Sequence, residues 1–127
     1  MEVTTTAALD AGARLLDAIG AQDFARMEGC FASSARLRAM VPSMLREEEG
    51  AAAIVARFRL WWEDLEQVEL VESELEPMAD CVRLRYRLRA HDRDDGWVTV
   101  EQTGYFHAED GGISVLNLVC SGFRPAE

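Results

Sequence analysis

Cysteine is scarce in this chain, and its placement serves neither cross-linking nor ligation. Cys30, Cys81 and Cys120 are the three cysteines, with no CxxC pair and no Cys/His ligand spacing around them. An odd, scattered set argues against a disulfide framework and against a structural zinc site. Free thiols suit a reducing cytosol, so a cytoplasmic location is expected. Basic charge is also in short supply. Thirteen basic residues stand against 23 acidic ones, giving a formal net charge of −10. Nucleic acid and anionic membrane surfaces both need a basic face, so neither is expected as a partner. No apolar run is long enough to span a bilayer. The start, Met1 to Thr6, has no basic stretch leading into an apolar one, so no signal peptide is expected. Repeats, linkers and low-complexity segments are missing too. One domain over residues 1–127 is the reading that remains.

What is present is a half-hydrophobic composition, enough for a sizeable core. The order is helices first, strands after. One of Thr4, Thr5 or Thr6 is expected to cap a helix running to about Ala18–Gly20, with Leu9, Gly12, Ala13, Leu16 and Ile19 on one face. Asp23 opens a short second helix bearing Phe24, Met27 and Phe31. Arg36–Val41 reads as a first strand that Pro42 ends. Glu47-Glu48-Glu49 reads as the solvated start of a helix from Ala51 to about Trp62, its acid complementing the helix dipole. Ile54, Val55, Phe58, Trp61 and Trp62 form that helix's apolar stripe.

From Leu65 onward the pattern is strand. Gln67–Leu75 is followed by a turn at Pro77-Met78-Ala79-Asp80. Cys81–His91 alternates cleanly: Val82, Leu84, Tyr86, Leu88 and Ala90 share one face, and Arg83, Arg85, Arg87 and Arg89 the other. Asp92–Gly96 is a hairpin turn, Trp97–His107 the next strand, and Glu109–Gly112 the next turn. The last strand, from Ile113, ends Leu118-Val119-Cys120-Ser121. Long strands joined by short turns imply antiparallel pairing. Glu69, Glu72, Glu74 and Glu76 precede the arginine row, so cross-strand Arg–Glu pairing on the outer face is expected.

The order of elements, with Leu15-Leu16-Asp17-Ala18, Asp23-Phe24-Ala25, Phe58-Arg59-Leu60-Trp61-Trp62, Gly104-Tyr105-Phe106 and Asp110-Gly111-Gly112-Ile113, resembles the nuclear transport factor 2-like superfamily. Within it, the resemblance is to the SnoaL-like (polyketide-cyclase-like) and ketosteroid-isomerase-like branch, over nearly the whole chain. It implies an α+β fold: a curved antiparallel sheet wrapped as a cone around N-terminal helices, with a ligand cavity inside. It also implies dimerisation through the outer sheet face. The superfamily divides among isomerases, cyclases, epoxide hydrolases, dehydratases and non-catalytic binders, so fold does not decide function. The branch's catalytic carboxylates do not carry over. Arg36 and Arg38 flank the first strand, Thr103 falls near the isomerases' acidic donor, and Cys120-Ser121 occupies the cyclases' acidic region.

Polar residues on otherwise apolar strands remain as candidates. Glu101 and Gln102 are neighbours, so one faces the cavity and one the outside. Val98, Val100, Gly104 and Phe106 put Gln102 inward; alignment on the Gly111-Gly112 turn puts Glu101, Thr103 and Tyr105 inward instead. An inward Glu101 would be a general acid or base, with Tyr86 as a hydrogen-bond donor to a carbonyl or enolate. Gln102, Asn117, Cys120, Tyr105, Trp62 and Leu118 are the candidate ligand contacts. The expected function is binding of a small hydrophobic ligand. The enzymatic form is a cofactor-free, metal-free isomerase, cyclase or dehydratase acting on a carbonyl compound. The alternative is a non-catalytic binding or dimerisation domain.

Overall fold

A computed structural model describes residues 2–126, with side chains described from Thr6 onward. Among these residues the order is α1 (Glu2–Ala21), α2 (Phe24–Gly29), β1 (Phe31–Val41), β2 (Met44–Glu49), α3 (Ala51–Trp62), β3 (Glu66–Pro77), β4 (Val82–Asp92), β5 (Gly96–Glu109), β6 (Gly112–Cys120) and β7 (Arg124–Pro125). The strands form one curved, unclosed sheet in the order β2-β1-β6-β5-β4-β3, with β7 alongside β5. The meander β3 to β6 is antiparallel throughout. β1 runs parallel to β6, which makes the sheet mixed.

The apolar residues of α1 fall at helical spacing and bury Ala11, Leu15, Leu16, Ala18 and Ile19 against the sheet. The helix already begins at Glu2, ahead of the threonines expected to cap it; the side chains of Thr4 and Thr5 lie outside the described residues. It also passes Gly20, and Gln22 ends it in a left-handed conformation (φ 53), returning its N–H to the Ile19 carbonyl at 3.0 Å. Asp23 caps α2 by accepting from the Arg26 N–H at 3.1 Å. Arg14 ties α1 to the β5–β6 turn through the Gly111 carbonyl, 2.8 Å away.

The Glu47-Glu48-Glu49 triplet is strand, not helix start. It pairs with Arg36, Leu37 and Arg38 of β1. Opposite charges across the strand pair, such as Arg38–Glu47 at 3.3 Å, favour this hairpin over a helical turn. Glu48 still reaches the helix that follows, binding Arg57 at 2.8 Å.

β4 alternates as its sequence demands. Val82, Leu84, Tyr86, Leu88 and Ala90 are buried, and the arginines face out. Those arginines meet the glutamates of β3: Arg83 binds Glu74 and Glu76, Arg85 and Arg87 bind Glu72, and Arg89 approaches Glu69. Arg85 and Arg87, by hydrogen bond and charge, hold the Glu72 carboxyl below its ordinary range.

The core lies between the helices and the inner face of the sheet. Its centre is aromatic. Phe58 stacks on Trp62 at 5.1 Å, and Trp62 meets Tyr86 edge-on at 6.2 Å. Among the described residues no helix is long and apolar enough to cross a membrane.

Candidate functional site

Strand register places three residues in a row across the inner face. Tyr86 on β4 stands opposite Gln102 on β5, and Gln102 stands opposite Cys120 on β6. The inward positions of β5 are Val98, Val100, Gln102, Gly104 and Phe106. Gln102 is therefore the inward neighbour and Glu101 the outward one.

The Tyr86 phenol donates to Gln102 Oε1. Burial, with a smaller contribution from Cys120, pushes that phenol well above its ordinary range. Tyr86 thus keeps its proton near neutrality and acts as a donor. Gln102 is 1 % exposed, and its Nε2 has no partner among the described residues. A buried amide without a partner carries a desolvation cost of about 1–3 kcal/mol, so this nitrogen is the polar atom least at rest in the core.

A recess of about 280 Å³ opens beside this row. Trp61 and Trp62 form its helical wall, and Val100, Gln102 and Cys120 its floor. Val41, Pro42, Gly122 and Phe123 make its rim. No charged side chain lines it among the described residues. The recess exists because the β6 lane is interrupted. β6 stops at Cys120, the chain steps out through Ser121–Phe123, and β7 returns beside β5 at Val98 and Thr99. Ser121 holds the step: its Oγ accepts from the Glu101 N–H at 2.9 Å and donates to the Gly122 carbonyl at 2.8 Å. Gly122 adopts φ 74, and a Cβ there would come within 2.6 Å of Pro42 Cγ. Only glycine lets the rim close this tightly.

Of the residues predicted to line a cavity, Gln102, Cys120 and Trp62 meet at the recess, and Tyr86 joins them through Gln102. Leu118 is buried on the same face of β6 as Cys120, but in the core. Three others lie on the outer face. Glu101 is bound there by Arg85 and Arg87, the closest contact being 3.0 Å. The expectation of an inward acid–base Glu101 is corrected accordingly: strand alternation puts its carboxylate across the sheet from the recess. Tyr105 is 44 % exposed, and Asn117, its cross-strand partner, is exposed too. Sequence reasoning missed Pro42, Gly122 and Phe123, which come together only through the break between β6 and β7.

A larger concavity, about 740 Å³, lies on the outer face among Arg87, Arg89, Thr99, Glu101 and Arg124. Arg87, Glu101 and Arg89 are already engaged there, with Arg87 on Glu72 and Glu101 and Arg89 over the Trp97 ring at 3.9 Å. Among the described residues no group of three or more His, Cys, Asp or Glu side chains is placed to hold a metal ion.

Helices against one face of a curved, unclosed mixed sheet, with a recess between, make an α+β domain with the nuclear transport factor 2-like, ketosteroid-isomerase-like fold. The chain belongs to the SnoaL-like domain family, which matches it over residues 13–116. Its structure is similar to that of a candidate isomerase from Bacillus subtilis, with a TM-score of 0.75 and 14 % identity over 91 % of this chain and 87 % of that one. It is also similar to a candidate SnoaL-like polyketide cyclase from Jannaschia sp. CCS1 (TM-score 0.71, 19 % identity, 93 % and 88 % covered). A third likeness is to an LEH-like epoxide hydrolase of M. tuberculosis (TM-score 0.68, 16 % identity, 92 % and 84 % covered). At these identities the likeness is one of fold. No curated protein matches the chain in sequence.

Proposed function

We propose that this domain binds a small, uncharged, hydrophobic ligand in the recess and orients it by one hydrogen bond from Gln102. The observation that carries this reading is the buried Gln102 Nε2, unpartnered beside an apolar recess. A ligand carbonyl oxygen would accept from it, completing a chain from Tyr86 through the amide to the ligand. At about 280 Å³ the recess is smaller than a typical drug-sized site of about 300–1,000 Å³. A compact ring ketone is the fitting probe.

Binding is favoured over acid–base turnover because no carboxylate or histidine lines the recess among the described residues. An isomerase, cyclase or dehydratase needs a group that moves a proton near neutral pH, and Tyr86 is held protonated. Titration with cyclohexanone, read by tryptophan fluorescence beside Trp62, is expected to give a Kd of about 0.1–1 mM. Gln102→Leu should weaken it about five- to tenfold, the value of one hydrogen bond. An unchanged Kd in that variant refutes the orienting role. Exchange of the ketone's α-protons for deuterium, catalysed by the protein in heavy water, would turn the reading toward the enzyme.

Pairing of two copies through the outer sheet face belongs to the same proposal. Met40 pairs with Val119, and Tyr105 stands diagonally from Val119, two residues along from its partner Thr103; all three are exposed apolar side chains on the outer face of β1, β6 and β5. Sedimentation equilibrium at tens of micromolar, a range set by weak to moderate affinities, should find a dimer that Val119→Arg dissociates. A monomer in the unsubstituted chain sinks this part of the proposal.

A further inference from the structure

We propose that Cys120 is a covalent attachment site for small α,β-unsaturated ketones held in the recess. The inference rests on the ligand-binding reading above and names the chemistry that the same recess adds to it. Two independent features point to it. One is the Cys120 thiol, which lines the recess floor. The other is Gln102, which lines the same floor and whose buried amide nitrogen has no partner among the described residues.

The two residues are directly opposed on antiparallel strands and face the same side. Side chains so placed have Cβ atoms about 4.5–5.5 Å apart. In an enone the carbonyl oxygen and the electrophilic β-carbon are separated by three bonds. A single molecule can therefore rest its oxygen on Gln102 Nε2 while presenting its β-carbon to Cys120 Sγ. The Gly122 N–H at the rim donates to that sulfur at 3.4 Å. The apolar lining of Trp61, Trp62 and Val100 admits an uncharged ring and offers a charged electrophile nothing.

The step balances without an oxidant or reductant. The Cys120 thiol loses its proton to water, and the sulfur forms a bond to the β-carbon. The Cα–Cβ π pair shifts to join the α-carbon to the carbonyl carbon, and the carbonyl π pair moves onto oxygen, giving an enolate. The Gln102 Nε2–H stabilises that oxygen, as a donor does wherever negative charge develops on a carbonyl. Water then returns a proton to the α-carbon. The net result is addition of S–H across the double bond, reversible by the same path.

The chain carries its own controls. Cys30 is buried and donates its thiol to the Arg26 carbonyl at 3.3 Å, and burial raises its pKa. Cys81 is partly exposed and lies outside the recess. The test is to incubate the intact chain with cyclohex-2-enone and follow each cysteine by peptide mass spectrometry, with and without excess cyclohexanone. Cys120 should be modified at least about tenfold faster than Cys81, a factor one oriented donor readily supplies. Cyclohexanone should slow Cys120 alone, and Gln102→Leu should bring the two rates together. Equal rates at Cys120 and Cys81 in the unsubstituted chain overturn the proposal whatever the variant does. Binding of cyclohexanone with no adduct at Cys120 overturns it too, and leaves the ligand-binding reading standing. Absence of both binding and adduct overturns both.

Discussion

Trp62→Ala is expected to remove about 3–5 kcal/mol of folding stability, as large-to-alanine substitutions at buried aromatic positions do. For a chain of this length that is a fall in Tm on the order of 10–20 °C. The indole is 1 % exposed. It stacks on Phe58 with the ring planes 14° apart and meets Tyr86 at 80°. Truncation deletes both contacts and joins the empty volume to the recess. The core cannot close over it easily, because Tyr86 is pinned to Gln102 on the sheet side and Phe58 is fixed one helical turn away. Trp62→Phe keeps a ring in the stack and should cost clearly less. Denaturant unfolding reads both. A loss below about 1 kcal/mol in the alanine variant would place Trp62 outside the load of the core.

Gly104→Val should be of similar severity for the opposite reason. Gly104 faces inward two residues along from Gln102. A Cβ there would lie 2.5 Å from the Asn117 carbonyl oxygen and 2.6 Å from Leu118 Cδ2. The leucine has room to turn, but the carbonyl belongs to the β5–β6 ladder and does not. Overpacking commonly costs about 1–3 kcal/mol and more when backbone must move, so the valine variant should lose about 3 kcal/mol or more. Gly29 is the matched control. Nothing stands within 4 Å of a Cβ built there, and at the end of α2 alanine should be neutral or slightly stabilising. Equal unfolding midpoints for the Gly104 and Gly29 variants would refute the close approach of β6.

Most of the fold was legible because its signals are local. The alternation over β4 named both faces of that strand. The glutamates before it and the arginines within it implied the ladder that forms. The site was legible only in part, and the reason is register. On β5 the apolar residues Val98, Val100 and Phe106 gave the right parity for Gln102, whereas counting from the Gly111-Gly112 turn gave the wrong one. On β6 a bulge intervenes: His107 pairs with Val115, but Ala108 pairs with Ile113, so one extra residue sits at Ser114. Ile113 and Leu116 both face inward in consequence. Counting by twos from Ile113 would bring Asn117 to the inner face; the bulge sends it out. The recess rim was illegible for a different cause. Pro42, Gly122 and Phe123 belong to chain segments far apart in sequence, and no local pattern marks a strand that pauses and resumes in its own lane. The Glu47–Glu49 triplet shows the same limit, since acidic residues before an alanine run suit a helix start until a β1 partner is present to pair with them.

An unclosed sheet leaves two margins, and here they are β2 and β3. Each offers backbone N–H and C=O groups to any strand that drifts alongside, the usual route to runaway polymerisation. These margins are also where glutamate concentrates: Glu47, Glu48 and Glu49 on one, and Glu66, Glu69, Glu72, Glu74 and Glu76 on the other. A second copy approaching margin to margin meets glutamates mostly committed to arginines of their own chain, charged groups that are costly to dehydrate. The acidity that excluded nucleic acid at the outset therefore has a physical employment along the open rims of the sheet. Charged edges of this kind oppose extension by another chain.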